Sequence, residues 1–124
     1  MLLIDAANVI GSRPDGWWRD RPGAARRFVE RVRSAAAAGR FDEAVVVVLE
    51  GQSRRGIAPG VADGVTVVHA SGSADDALIA LASDAAEPVT LVSADRALSQ
   101  RAEATGTHVV RPGWLIDLLD GNGG

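Results

Sequence analysis

Six side chains of this sequence offer oxygen donors at comparable places along the chain. They are Asp5 and Asn8 in "MLLIDAANVI", Glu50 closing "AVVVVLE", Asp75 and Asp76 in "SGSADDAL", and Asp95 in "VSADRALSQ". Hard carboxylate oxygens suit Mg2+ or Mn2+, and a chain with no cysteine and two histidines lacks the usual zinc donors. Carboxylates gathered in one place repel each other unless a cation neutralises them, so a cluster of this kind points to a divalent metal. Asn8 would orient a carboxylate or a metal-bound water. Taken singly, each acid also has a local reading. Asp5 fits an Asx turn and Asn8 the cap of a short helix; Ser73 and Asp76 fit a capping box. Asp75 suits the positive end of a helix dipole, Asp95 an N-cap, and Glu50 the polar end of a strand. The choice between the two readings depends on whether the fold brings the acids together.

The elements that would do so can be read from periodicity. Residues 1–5, 44–50, 65–70 and 89–94 are apolar, β-branched runs typical of strands covered on both faces, with 108–110 a short fifth. Residues 11–23 and 51–64 are punctuated by Gly and Pro and are expected to be loops. From Ala24 the period becomes helical, with Ala25, Phe28, Val29, Val32 and Ala36 on one face and Gly39 as the stop. Helices are also expected over 71–87, nearly all apolar and so well buried, over 95–106, and over 111–120 with Trp114 in the core. Strands alternating with helices predict an α/β three-layer domain: a mostly parallel sheet of about five strands between helices, over residues 1–120, with 121–124 a flexible tail. In such sheets ligands bind beyond the carboxyl ends of the strands. Each of the first four strands delivers an acid to that edge.

Composition narrows the partners. All 13 basic residues are Arg; eight fall in the first 40 residues against four acids, leaving five against twelve in the remainder. That asymmetry permits a polyanionic partner, and it equally fits a solvated helix face. Without lysine, neither a phosphate-binding P-loop nor a phospho-acceptor receiver pocket can be built, and no G-x-G-x-x-G follows a strand. No apolar run reaches the ~18–20 residues of a membrane span, and the N-terminus lacks the basic flank of a secretory signal, so a cytoplasmic protein is expected. His69 and His108 lie in strand-like runs and are read as packed or edge residues rather than ligands.

Taken in order, "DAAN" (5–8), "VVLEG" (47–51), "SADDAL" (73–78) and "VSADRALSQ" (92–100) resemble the NYN branch of the PIN-like nucleases, in particular its YacP-like group. The resemblance runs over about residues 1–119 and rests on the order and placement of short motifs. It implies a PIN-like fold and a metal-dependent ribonuclease site in which Asp5, Asp75 and Asp95 bind metal, accompanied by Asn8. Asp75 matches the family position because it stands three residues before the apolar Leu78, with Asp76 a second ligand. Three positions depart from the pattern. Glu50 replaces the usual Asp after the second strand, and Ala6 and Ala7 replace a Gly-aromatic pair. Ala97 stands where some members carry another Asp, a departure that favours the YacP-like branch.

The expected chemistry is hydrolysis of an RNA phosphodiester by in-line attack of water, with Asp5, Asp75, Asp95 and Glu50 holding one or two Mg2+ or Mn2+ ions. Arg54 and Arg55, and less directly Arg96, would contact phosphates. Trp17 and Trp18, adjacent in a Gly/Pro loop, would stack unpaired bases, which favours single-stranded RNA; the alternative is that one of them lids the core. A catalytically inactive PIN-like module that binds RNA or protein is the competing expectation. A haloacid-dehalogenase-type phosphatase would need D-x-D, and position 7 is Ala. A homodimer or protein partner is left open.

Overall fold

Alternation along the strands decides which residues meet. The computed structural model describes residues Met1–Gly121. Leu2–Asp5 (β1), Val45–Leu49 (β2), Val65–His69 (β4), Thr90–Val92 (β5) and His108–Val110 (β6) pair in parallel, and Gly60–Ala62 (β3) joins β4 antiparallel. The six strands run in the order β3-β4-β2-β1-β5-β6. Strand β1 is therefore central, between β2 and β5. Its even residues, Leu2 and Ile4, face a core with Val45, Val47, Val92, Phe28, Val29, Val32 and Leu115. Leu3 faces the opposite core with Val46, Val48, Leu91, Leu78 and Leu98. The first core is roofed by Ala6–Gly11 (α1), Arg21–Ala37 (α2) and Pro112–Leu119 (α5); Ala74–Asp84 (α3) and Arg96–Glu103 (α4) cover the other. This is the three-layer α/β architecture expected.

Several details differ from the sequence reading, each for a local reason. The sheet has six strands rather than five because residues 60–69 form a hairpin, where a loop to residue 64 was expected. Asp63 and Gly64 turn it with φ of 54° and 75°, the two positive values that an Asp-Gly type I′ turn requires. Residues 51–55 before it are a 3-10 turn. Helix α2 begins at Arg21, not Ala24. Asp20 caps it by accepting from the Gly23 N–H at 3.0 Å, and Pro22 fits its first turn. The segment before it is not simply a loop, since α1 ends at Gly11 and Trp17–Arg19 form a 3-10 turn. Helix α3 ends at Asp84 and is less buried than its composition suggested. Only Ala74 and Leu78 are fully covered, because the small Ala80 and Ser83 fall on its open side. Trp114 is 46% exposed rather than in the core, because α5 turns Leu115 and Leu119, one turn apart, inward. The expected tail begins with Gly121, whose N–H donates to Leu118 O; residues 122–124 lie outside the described residues.

The turn after β2 is held tightly against α2. A Cβ added at Gly56 would stand 2.0 Å from the Pro22 carbonyl oxygen, so only glycine permits this approach. Gly56→Ala is expected to destabilise the protein by about 1–3 kcal/mol in denaturant unfolding, the usual cost of overpacking. A neutral substitution would show that the turn yields freely.

Candidate functional site

The alternation that builds the two cores also selects the site. On the face of Leu3, Val46, Val48 and Leu91, the next inward positions are Asp5, Glu50 and Ser93. They stand at the carboxyl ends of β1, β2 and β5. Connections from β1 run toward β2 and β4, whereas β5 and β6 lie on the other side, so β1 and β5 flank the topological switch point.

Asp5 is 3% exposed. Its Oδ2 accepts from the Ser93 hydroxyl at 3.0 Å. Burial pushes its carboxyl from 3.8 up to about 6; the Ser93 hydroxyl and the Asn8 backbone N–H draw it partly back, and the negative charges of Asp75 and Glu50 raise it further. Ser93 also accepts from the Asp95 N–H at 3.1 Å, and Asn8 Oδ1 accepts from the Ala94 N–H at 2.9 Å. Two side chains of the β1–α1 junction are thus stitched to the β5–α4 junction, more than 80 residues away.

The remaining acids ring this network. Glu50 Oε2 accepts from the Ala74 N–H at 2.9 Å, so it fixes the start of α3 to the end of β2. Asp95 Oδ1 accepts from the Leu98 N–H at 3.0 Å and caps α4. Each retains a second carboxylate oxygen. Asp75, in the first turn of α3, has its carboxyl raised by partial burial and by the charges of Asp95 and Glu50, against a lowering by Arg101. Asp76 points elsewhere. It is exposed and forms an ion pair with Arg101 at 3.2 Å, while its N–H donates to Ser73 Oγ as the capping box requires. Asp5, Glu50, Asp75 and Asp95 therefore influence one another electrostatically, and none of them takes part in an ion pair among the described residues.

That donor set fits a hard divalent cation in kind and in unneutralised charge. Among the described residues, no three His, Asp or Glu side chains stand together at ligating spacing. A cation held here would require these side chains to draw closer together.

The groups expected to contact nucleic acid divide. Arg54 is occupied, donating to Gly51 O at 3.1 Å and Ala70 O at 3.3 Å, which braces the turn after β2 against the end of β4. Arg55 and Arg96 are exposed. Trp17 is half-buried and Trp18 49% exposed, and neither is among the side chains packed against the two cores. Trp17 lines a cavity of about 510 Å³ that it shares with Glu50 and Ser73. His69 Nε2 lies 2.8 Å from Ile57 O, a packing role, and His108 is exposed. Sequence reasoning assigned no role to Ser93, although its motif was in view; the signal was its parity with Leu91. Arg21, placed over the Trp17 ring at 5.5 Å, was also missed, because its helix was expected to start later.

No family model matches this chain, and no curated protein matches it. Among solved structures it is similar to Rae1 (YacP) from Bacillus subtilis, a crystal structure of a W164L mutant, with a TM-score of 0.73. The match covers 98% of this chain and 75% of that one at 19% identity, so the likeness is one of fold. It is the fold that the ordered motifs imply.

Between pH 3.8 and about 6 the native state holds a proton on Asp5 that the unfolded chain releases. The group's favourable contribution is complete below its unfolded value of 3.8 and is lost as pH rises through about 6. Asp5→Asn is therefore expected to be more stable than the parent at about pH 8, by about 2–3 kcal/mol, with the difference vanishing toward about pH 4. Thermal unfolding across that range checks it, and a pH-independent difference would mean another group titrates. Glu50→Ala should cost about 1 kcal/mol through loss of the Ala74 N–H acceptor, whereas Glu50→Gln, whose amide oxygen can accept the same bond, should cost little.

Proposed function

We propose that this chain is a metal-dependent ribonuclease of the PIN-like type that hydrolyses phosphodiester bonds in unpaired RNA. The observation that carries the reading is the set of four carboxylates, Asp5, Glu50, Asp75 and Asp95, at the switch point of the sheet, none of them in an ion pair among the described residues. The order of the motifs and the YacP-like fold support it. Asp5, Asp75 and Asp95, with Glu50, would hold Mg2+ or Mn2+; Asp76, paired with Arg101, is a weaker ligand candidate. When bound, such a cation supplies positive charge to a phosphate and makes water beside it more acidic.

The chain's own residues do the positioning. Ser93 donates to Asp5 and takes the Asp95 N–H, which fixes the two acids relative to each other. Asn8 holds the Ala94 amide and with it the turn that presents Asp95. With Asp5 drawn toward its neutral form by burial, the site gains affinity for a cation as pH rises above about 6. Arg55 and Arg96 would contact phosphates as forks, and the tryptophans would receive bases. A cytoplasmic location belongs to the same proposal. No helix among the described residues is long and apolar enough to cross a membrane.

A second reading is a PIN-like module that binds RNA or protein without cutting it. Two observations favour it: no three acids stand at ligating spacing among the described residues, and Glu50 is engaged in holding the first turn of α3. The two readings part on one experiment. The nuclease should show a Mn2+-dependent thermal shift and cleave single-stranded RNA, and EDTA should abolish both. Asp5→Asn with Asp95→Asn, which keeps an N-cap side chain on α4, should remove the shift and lower cleavage by about 100-fold or more while leaving the fold intact. Cleavage that survives EDTA, or that the double variant retains, would refute the site. A fully folded chain with neither shift nor cleavage would be the inactive module.

A further inference from the structure

Of the four clustered acids, Glu50 alone lines the cavity of about 510 Å³ that runs from the Trp17 turn to the residues just before α3. That volume lies within the roughly 300–1,000 Å³ of small-ligand sites. Its walls combine three chemistries. Trp17 and Arg21 supply an indole and a guanidinium, Ile10 adds apolar surface, and Gln52 and Ser53 offer an amide and a hydroxyl. Glu50 belongs to the cavity and to the acid cluster alike.

The aromatic wall is held in place. Trp18 meets the Trp17 ring edge-on, with centroids 5.9 Å apart and planes at 90°. The Arg21 guanidinium carbon lies 5.5 Å from the ring centroid. Gly11, at the end of α1, lies close enough that an added Cβ would be 3.7 Å from Cζ2. A flat ligand stacking here would meet a surface already ordered, which removes part of the entropic cost of binding. A planar heterocycle with a π face and a hydrogen-bonding edge matches the combination of indole, guanidinium, amide and hydroxyl. An aliphatic side chain would leave the amide and hydroxyl unmatched, and a lone phosphate would be repelled by Glu50.

We propose that this cavity seats one unpaired nucleobase of the RNA, stacked on the Trp17–Arg21 pair, next to the phosphate that the acid cluster addresses. This inference rests on the RNA reading of the same site and adds its substrate subsite: a flipped-out or single-stranded nucleotide held at the Glu50 end. Gln52 and Ser53 each donate and accept, so the pocket tolerates all four bases and distinguishes them modestly.

The test uses the unmodified chain in EDTA, so that cleavage plays no part. A short 2′-O-methyl RNA oligonucleotide is titrated in while the indole N–H resonances are followed, Trp17 being assigned through bonds without any variant. The expected result is a saturable shift of the Trp17 resonance, and about tenfold weaker binding by the fully abasic counterpart, the loss of one stacked base. An unmoved Trp17 resonance, or equal affinity for the two strands, overturns the pocket. Binding of this kind by a chain that never cleaves RNA with Mn2+ would refute the nuclease and support the pocket. Cleavage with a silent Trp17 would do the reverse.

Discussion

Along a strand, side chains alternate between the two faces of the sheet, and in this protein that rule places a carboxylate where the packing would otherwise put a leucine. Leu3 fills the core under α3 and α4, and Asp5, two residues on, occupies the same face at the strand's end. Val48 and Glu50, and Leu91 and Ser93, repeat the arrangement on the neighbouring strands. The packing of Leu3, Val48 and Leu91 therefore fixes the register of the site. Slipping one strand by a residue would bury its polar end in the other core, so the hydrophobic layer enforces the polar constellation above it.

A burden of negative charge comes with that placement. Asp5 lies in a poorly solvated position, and its carboxyl is lifted by burial and by the acids around it. The fold manages the rest with partial charges. The first turns of α3 and α4 present N–H groups to Glu50 and Asp95, and a hydroxyl rather than a cation faces Asp5. Arginine, plentiful in α2, is spent elsewhere. Arg13 and Arg31 hold Asp120 and keep its carboxyl below the ordinary range, and Arg40 donates to the Leu118 and Leu119 carbonyls at the end of α5. Part of the positive charge in the first third of the chain, Arg31 of α2 with Arg13 and Arg40 on either side of that helix, thus ties down the end of α5.

The layers, the strands of the parallel sheet and the edge at which the acids gather were legible because runs such as 44–50 and 65–70 leave little alternative to buried strands. The hairpin at Asp63-Gly64 was legible too, and was overlooked because the exposed β3 residues carry no apolar alternation. The start of α2 was hidden by Pro22 and Gly23, residues that punctuate loops in general but here follow a capping Asp. Trp114 was misplaced by size: a large aromatic suggests a core, but its position on α5 relative to Leu115 and Leu119 turns it outward. At the site, the local readings of Asp95 and Ser73 as caps proved right, and a cap uses only one of the two Asp95 carboxylate oxygens. Which side chains share a hydrogen-bond network, as Ser93 and Asn8 do, depends on the β1–β5 pairing and could not be read from either segment alone.

That pairing bears on how the chain comes to exist. The central strand, β1, precedes the other strands in the sequence, yet its second neighbour starts only at Thr90. Until then a growing chain carries one flank of its middle strand bare, an edge apt to recruit stray partners. It also lacks Ser93, Ala94 and Asp95, so the polar network does not yet exist. The bonds that join the β1–α1 junction to the β5–α4 junction form only once residues 93–95 are in place.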